Sequence, residues 1–302
     1  MSYYKQAILM MVHKDFDQVE NLIRCLDYEG FDIYLHVDAK VLDVPVEMLR
    51  GAALVSQVKF VDRIEVNWGG ASQIECELEL IDSALRGGNY SMLHLITGQD
   101  LPLHPAEEIW RWFDERREYE FVGFSHCEPR ADITDDERQR WCTYNFFTEK
   151  GQSTFWSKLR SALSRVQYIL GVDRTRGSGL TFGKGSAYFS ISSDFASWLM
   201  ERERLVRSYF CVRSLCCDEV FMQTMLLSSP FVDRLWDPDG DEFSQSARLI
   251  DWKRAEGSSP HTWRIEDFEI LTHAHDRMFA RKFDFAVDPK VIAQLSARIL
   301  HE

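Results

Sequence analysis

No stretch of this 302-residue chain reaches the ~18 consecutive apolar residues that a membrane-spanning helix needs. The apolar run Ala7 to Val12 follows Met1-Ser-Tyr-Tyr-Lys5 directly and is too short for a signal segment with a cleavage site. Excess positive charge is missing as well. A net charge of −13 argues against non-specific nucleic-acid binding and against a broadly basic surface facing a membrane. Cations concentrate only locally, at Arg202–Arg207 and Arg277–Lys282. The seven cysteines form no CxxC and no Cys/His ligand spacing, so neither a disulfide framework nor a zinc site is expected. No GxGxxG joins the first strand to its helix, and Gly183-Lys184-Gly185 lacks the spacing and the Ser/Thr of a phosphate-binding loop. There is no internal repeat, low-complexity tract or linker. These absences describe a soluble cytoplasmic protein with reduced thiols, built as one continuous domain over residues 1–302. They leave open a peripheral association with the inner face of a membrane.

What is present is an alternation of strands and helices. Hydrophobic residues make up 45% of the chain and aromatic residues 13%, enough for a large core and for surfaces that stack on sugars or bases. Ala7 to Val12 reads as a buried strand. A helical pattern follows through Val19, Leu22, Ile23 and Leu26, and Phe31 to Val37 is a second strand ending at Asp38. Strand, helix and strand ending in an acid is how a nucleotide-binding α/β unit begins. Val58 to Val61 is a short strand. After Trp68-Gly69-Gly70, the spacing Ser72-Gln73-Ile74-Glu75 predicts a capping box for a helix that closes at Gly87-Gly88. Ser91 to Thr97 is a core strand running into the loop Gly98–Leu103, at the sheet end where open α/β folds bind ligands. Pro105 opens a helix, Glu120 to Phe124 is strand-like, and an amphipathic helix is expected near Phe155–Leu170. Ser186 to Ile191 and Arg248 to Trp252 complete the strands.

Three constellations carry chemistry. Asp218-Glu219 stands immediately before the apolar run Val220 to Leu227, which reads as a buried helix starting near Cys217. A carboxylate there is either a helix-start residue favoured by unpaired N–H groups or a general base at a cleft rim. Asp237-Pro-Asp239-Gly-Asp241 offers DxD spacing for a divalent ion, although Asp is common in such turns for backbone reasons. Phe279-Ala-Arg281-Lys282-Phe283 sets two cations between aromatic anchors, suited either to clamping a diphosphate or to snorkelling over a surface.

Read in order, His36-Val37-Asp38, Trp68-Gly-Gly-Ala-Ser72, Gly98-Gln-Asp-Leu-Pro-Leu103, Gly185-Ser-Ala-Tyr-Phe189, Asp218-Glu219, Ile250-Asp-Trp252 and Phe279–Phe283 resemble the core-2/I-branching β-1,6-N-acetylglucosaminyltransferase family, which includes the peptide O-xylosyltransferases. The resemblance spans about residues 6 to 284 and suggests a short bacterial-type member lacking the stem and anchor of Golgi relatives. It implies an α/β GT-A-type fold, with a Rossmann-like mixed sheet flanked by helices. It also implies inverting, metal-independent transfer from a UDP-sugar to a glycan or glycolipid acceptor. N-acetylglucosamine is the first expectation for the sugar and xylose the second. By the same resemblance Glu219 is the base; the adjacent Asp218 is then expected to cap the turn or orient the pair. Arg281 and Lys282 contact the diphosphate, Asp38 and Val12 the nucleoside, and Trp252 the acceptor, while Ser186 and Tyr188 line the site. Where many relatives carry a further Arg, this chain has His261, with Arg264 three residues on; either completes the clamp. Glu128 and Arg138 are the acceptor contacts considered in the otherwise unaligned Ser125–Gly183 region. A metal-dependent GT-A transferase using the Asp237–Asp241 turn and a non-catalytic glycan- or nucleotide-binding domain are the competing expectations.

Overall fold

The structure, a computed structural model, describes residues 4–125, 134–150, 154–255 and 257–301. Glu128 lies outside them. Nine strands are present among the described residues: β1 (Lys5–Val12), β2 (Phe31–Val37), β3 (Gln57–Phe60), β4 (Tyr90–Thr97), β5 (Asp100–Pro102), β6 (Phe121–Val122), β7 (Phe189–Ser192), β8 (Arg248–Ile250) and β9 (Phe279–Arg281). Six form a sheet in the order β3-β2-β1-β4-β7-β6, and β5-β9-β8 form a smaller one. β3, β2, β1 and β4 run parallel, whereas β7 is antiparallel to β4 and to β6.

The central strands are apolar almost throughout because both faces are covered. Side chains alternate across a strand, so Ile8, Met10 and Val12 enter one core while Ala7 and Leu9 enter the other. The first core includes Phe31, Phe113, Phe279 and Phe283 and the C-terminal helix Pro289–His301 through Val291, Ile292, Leu295 and Ile299. The second is closed by the helix Ala71–Gly87 through Ile74, Leu78 and Ile81, and by Phe189, Phe195, Phe210 and Phe221.

Chain order reverses at the β1–β4 pair, because β1 pairs with β2 on one side and β4 on the other. Parallel sheets open a crevice outside the C-terminal strand ends at such a reversal. Val12, Val37 and Thr97 end the three strands there, with Val12 in register with Val37 and Met11 with Thr97. Several expected elements differ locally. The capping box at Ser72 does not form: the helix begins at Ala71 after Gly70, and Ser72 Oγ instead accepts from the Asn67 N–H and donates to Glu149. The loop after β4 contains β5, which pairs with β9.

At the opposite end of the sheet, Glu120 is fully buried and accepts from the Ser192 N–H (2.8 Å) and hydroxyl (2.5 Å). Burial raises its pKa from 4.5 to about 7, and the Ser192 hydrogen bonds only partly oppose this. A carboxyl raised on folding contributes stability that is full below its unfolded pKa and is lost as pH rises through the folded value. Over pH 4.5 to about 7, Glu120 should therefore cost stability on the order of 3 kcal/mol. Glu120→Gln should remove part of the fall in melting temperature across that window, as thermal unfolding at pH 5 and pH 8 would show. An unchanged pH slope would refute the account.

Candidate active site

A cleft of about 1100 Å³ opens at the C-terminal ends of β1, β2 and β4. It brings together eight of the residues expected from the sequence: Val12, Asp38, Ser186, Tyr188, Asp218, Glu219, Trp252 and Arg281. Val12 and Asp38 are neighbours because the Asp38 N–H donates to the Val12 carbonyl at 2.9 Å. Asp38 Oδ1 caps the following turn by accepting from the Lys40 N–H.

The acidic pair is held by close backbone packing. Asp218 and Glu219 lie in a 3₁₀ turn, Cys217–Glu219, and the α-helix Phe221–Leu227 starts only after Val220. They therefore precede the helix and are not its first turn, as the apolar pattern suggested. The Glu219 carbonyl accepts from the Gly185 N–H at 3.0 Å. Gly185 has to be glycine, since a Cβ there would stand 1.8 Å from the Gly123 carbonyl oxygen. From the helix behind, buried Gln223 donates to the Gly123 and Ser186 carbonyls at 3.0 and 2.7 Å, tying the cleft wall to the core.

The two carboxyls have different surroundings. Glu219 is 39% exposed, and its Oε2 accepts from Arg140 at 2.5 Å. Asp218 is buried: Oδ2 accepts from Gln73 at 3.0 Å, and Oδ1 has no hydrogen-bond partner among the described residues. Burial, then the Glu219 charge, raises the Asp218 pKa to about 7. Glu77, four residues after Gln73 on the same helix, also reaches the cleft; burial holds its pKa well above the usual range, and Asp218 adds to the effect. Glu242 on the cleft wall is raised to about 7 by burial and then by Glu219.

Arg281 provides fixed positive charge. Its Nη1 donates to Thr97 Oγ1 and to Asp100 Oδ1 (3.2 Å), and the guanidinium lies 5.0 Å from the Tyr188 ring centre. Tyr188 is raised above its ordinary pKa by burial, against which the Arg281 charge acts, so it stays a neutral phenol. Ser186 Oγ accepts from the Tyr188 N–H at 3.3 Å and shapes the loop. Trp252 is 48% exposed and Trp68 is 60% exposed, and both line the cleft. Trp252 is therefore not a core residue.

Two expected residues are absent from the cleft lining. His261 is buried, with Nε2 2.8 Å from Asp267 Oδ2. Lys282 is anchored through its main chain, its carbonyl accepting from the Trp263 N–H at 2.9 Å. Arg264 is exposed and also outside the lining. Lys14, Lys40 and Lys184 are the lysines that line the cleft. Nor does the Asp237–Asp241 turn face it. Asp237 accepts from the Ser244 hydroxyl, and Asp241 Oδ1 caps a helical turn by accepting from the N–H groups of Phe243 and Ser244. Arg138 sits beside Tyr168, with its guanidinium 5.2 Å from the ring centre, and is not a lining residue. Arg140, Gln73, Glu77, Trp68 and Glu242 were not anticipated as site residues. The i, i+4 spacing of Gln73 and Glu77 was available as a signal that both share one helix face.

The sheet has the mixed α/β form expected from the sequence, with parallel β3-β2-β1-β4 extended by antiparallel β7 and β6. Among solved structures, mouse xyloside xylosyltransferase 1 aligns over 91% of this chain and 96% of its own, at 11% identity and a TM-score of 0.39. Residues 1–349 of TarS from S. aureus align over 74% and 56%, at 10% identity and a TM-score of 0.37. In sequence, xylosyltransferase 2 of Bos taurus is 24% identical over 96% of this chain and 33% of its own length. Human xylosyltransferase 1 is 22% identical over 96% of this chain and 30% of its own length. The chain thus spans about a third of the curated relatives it matches. Residues 7–274 match the family model for the Core-2/I-Branching enzyme, and the chain belongs to that family of glycosyltransferases.

Proposed function

We propose that this chain transfers a sugar from a UDP-sugar to a hydroxyl of a glycan or glycolipid, with inversion, and with Glu219 as general base. The observation that carries this reading is the single cleft at the β1–β4 reversal that holds both the half-exposed carboxylate of Glu219 and the buttressed guanidinium of Arg281. Inverting displacement needs a base for the attacking hydroxyl and stabilisation of the departing oxygen. Glu219 would accept the acceptor proton as the hydroxyl oxygen attacks the anomeric carbon. Arg140 holds Oε2 of that carboxylate, which fixes its position. The bond to the diphosphate breaks as the new glycosidic bond forms, and Arg281 faces the charge that grows on the UDP oxygen. Lys14 is the lining cation near Asp284, a more direct candidate than Lys282 to assist Arg281. Val12 and Asp38 would receive the nucleoside. Trp252, with Trp68, offers the flat apolar faces on which sugar rings pack.

N-acetylglucosamine is the donor sugar in this proposal. UDP-xylose is the second reading, favoured by the names of the relatives. Hydrolysis and thermal-stabilisation screens with both UDP-sugars discriminate between them, because a ligand that binds the folded state raises its apparent stability. Failure of every UDP-sugar to shift melting would remove the proposal.

The same reading makes the reaction independent of a divalent ion. Its support is that Asp237 and Asp241 serve their own turn and that fixed cations already face the cleft. Turnover should be unchanged in excess EDTA. Silencing by EDTA with recovery on adding Mn²⁺ would overturn this part.

A further inference from the structure

The helix Thr154–Ile169 leaves large apolar side chains in solvent at both ends. Phe155 is 68% exposed, Val166 52%, Tyr168 62%, Ile169 81%, and Leu170, just past the helix, 72%. Single exposed apolar residues need no explanation, but five on one element do. At 100° per residue, Phe155, Ala162, Val166 and Ile169 fall in one narrow stripe, since they are separated by seven, four and three positions. Lys158 and Arg165 are exposed beside that stripe. The opposite face is the one that packs: Ser164 Oγ lies 3.3 Å from Thr143 Oγ1, and Gln167 exchanges hydrogen bonds with the Tyr144 N–H (2.8 Å) and carbonyl (2.9 Å).

Charge selects the occupant. No Asp or Glu occurs from Gly151 to Val172, although the chain as a whole carries −13. The basic segment Arg202–Arg207 is different: Arg202 pairs with Glu201 at 3.2 Å, and Arg207 with Glu203 at 2.8 Å. An acid-free helix with a convex apolar stripe and flanking cations matches a surface that is apolar just below a layer of negative charge. We propose that this helix docks the protein on an anionic lipid bilayer, with Phe155, Val166, Ile169 and Leu170 entering the headgroup region and Lys158 and Arg165 facing lipid phosphates. Arg138 lies over Tyr168, and Arg140, two residues on, holds Glu219.

The test is cosedimentation of the full chain with phosphatidylcholine vesicles, with and without about 30% phosphatidylglycerol. Sedimentation should require the anionic lipid and weaken with salt. Ile169→Glu/Leu170→Glu should reduce it by roughly tenfold, and Phe155→Glu, at the far end of the stripe, should reduce it independently. Lys158→Glu/Arg165→Glu should abolish the salt dependence. These side chains are exposed, so melting temperatures should stay at the parental value and show that each variant is folded. No binding to anionic vesicles, or equal binding by parent and variants, would overturn the proposal. So would a dimer in light scattering that Ile169→Glu/Leu170→Glu dissolves, because a second copy would then cover the face. None of these readouts depends on the catalytic reading.

Discussion

Glu219→Gln should leave UDP affinity and folding near parental values while lowering transfer by at least ~10²-fold, the lower range of what general-base assistance supplies. The substitution is informative because of what it preserves. A glutamine carbonyl can still accept from Arg140, so the guanidinium keeps a partner, and Glu219 is 39% exposed, so no charge is stranded in the core. The backbone contact with Gly185 is unaffected by the side chain. The remaining change is the loss of a proton acceptor. Asp218→Asn serves as the contrast. Asp218 is buried beneath Glu219 and accepts from Gln73, so its loss should act through the position of its neighbour. Measured turnover with a UDP-sugar and acceptor, beside UDP binding by calorimetry, separates the two roles. Parental turnover in Glu219→Gln would end the assignment of Glu219 as base.

The residue pattern carried most of the sheet, because strands buried on both faces leave continuous apolar runs such as Ala7–Val12 and Phe31–Val37. Val12 and Asp38 entered through the family resemblance, and they line the cleft where two of those runs end. Contacts between distant segments were harder to read. Arg140 meets Glu219 across 79 positions, and Glu149 meets Ser72 across 77. No local periodicity encodes either pair. Ser72 shows the cost of local reasoning, since its spacing to Glu75 fits a capping box yet its hydroxyl is engaged by Asn67 and Glu149. The C-terminal helix was missed despite Val291, Leu295 and Ile299 falling four residues apart, all buried. At the diphosphate end, Arg281 and Lys282 looked equivalent in the string. Only the pairing of β9 with β5 aims Arg281 at Thr97 and Asp100, while Lys282 is tied to the segment around Trp263.

That asymmetry makes Arg281 the second decisive position. Its side chain is 18% exposed and that of Asp100 is 5% exposed, and the two are 3.2 Å apart. Simple truncation would leave the Asp100 charge buried with less compensation, and breaking such a pair typically costs ~3–5 kcal/mol, so lost activity could merely report unfolding. The double variant Arg281→Met/Asp100→Asn removes both charges together. The introduced carboxamide retains an oxygen that can accept from the Thr97 N–H, as Asp100 Oδ2 does. The double variant should melt close to the parent yet lose ~10²–10³-fold in turnover, the scale of one preorganised group facing developing charge. UDP affinity should fall as well, since the same guanidinium faces the diphosphate before the bond breaks. Arg281→Lys tests geometry at constant charge: an ammonium cannot hold Thr97, Asp100 and a diphosphate in the planar arrangement a guanidinium allows, so a loss of ~10-fold or more is expected. Full activity in the double variant, with UDP binding unchanged, would mean that Arg281 serves the fold alone. The leaving-group role would then pass to the lysines of the cleft, where Lys14→Met is the next substitution to measure.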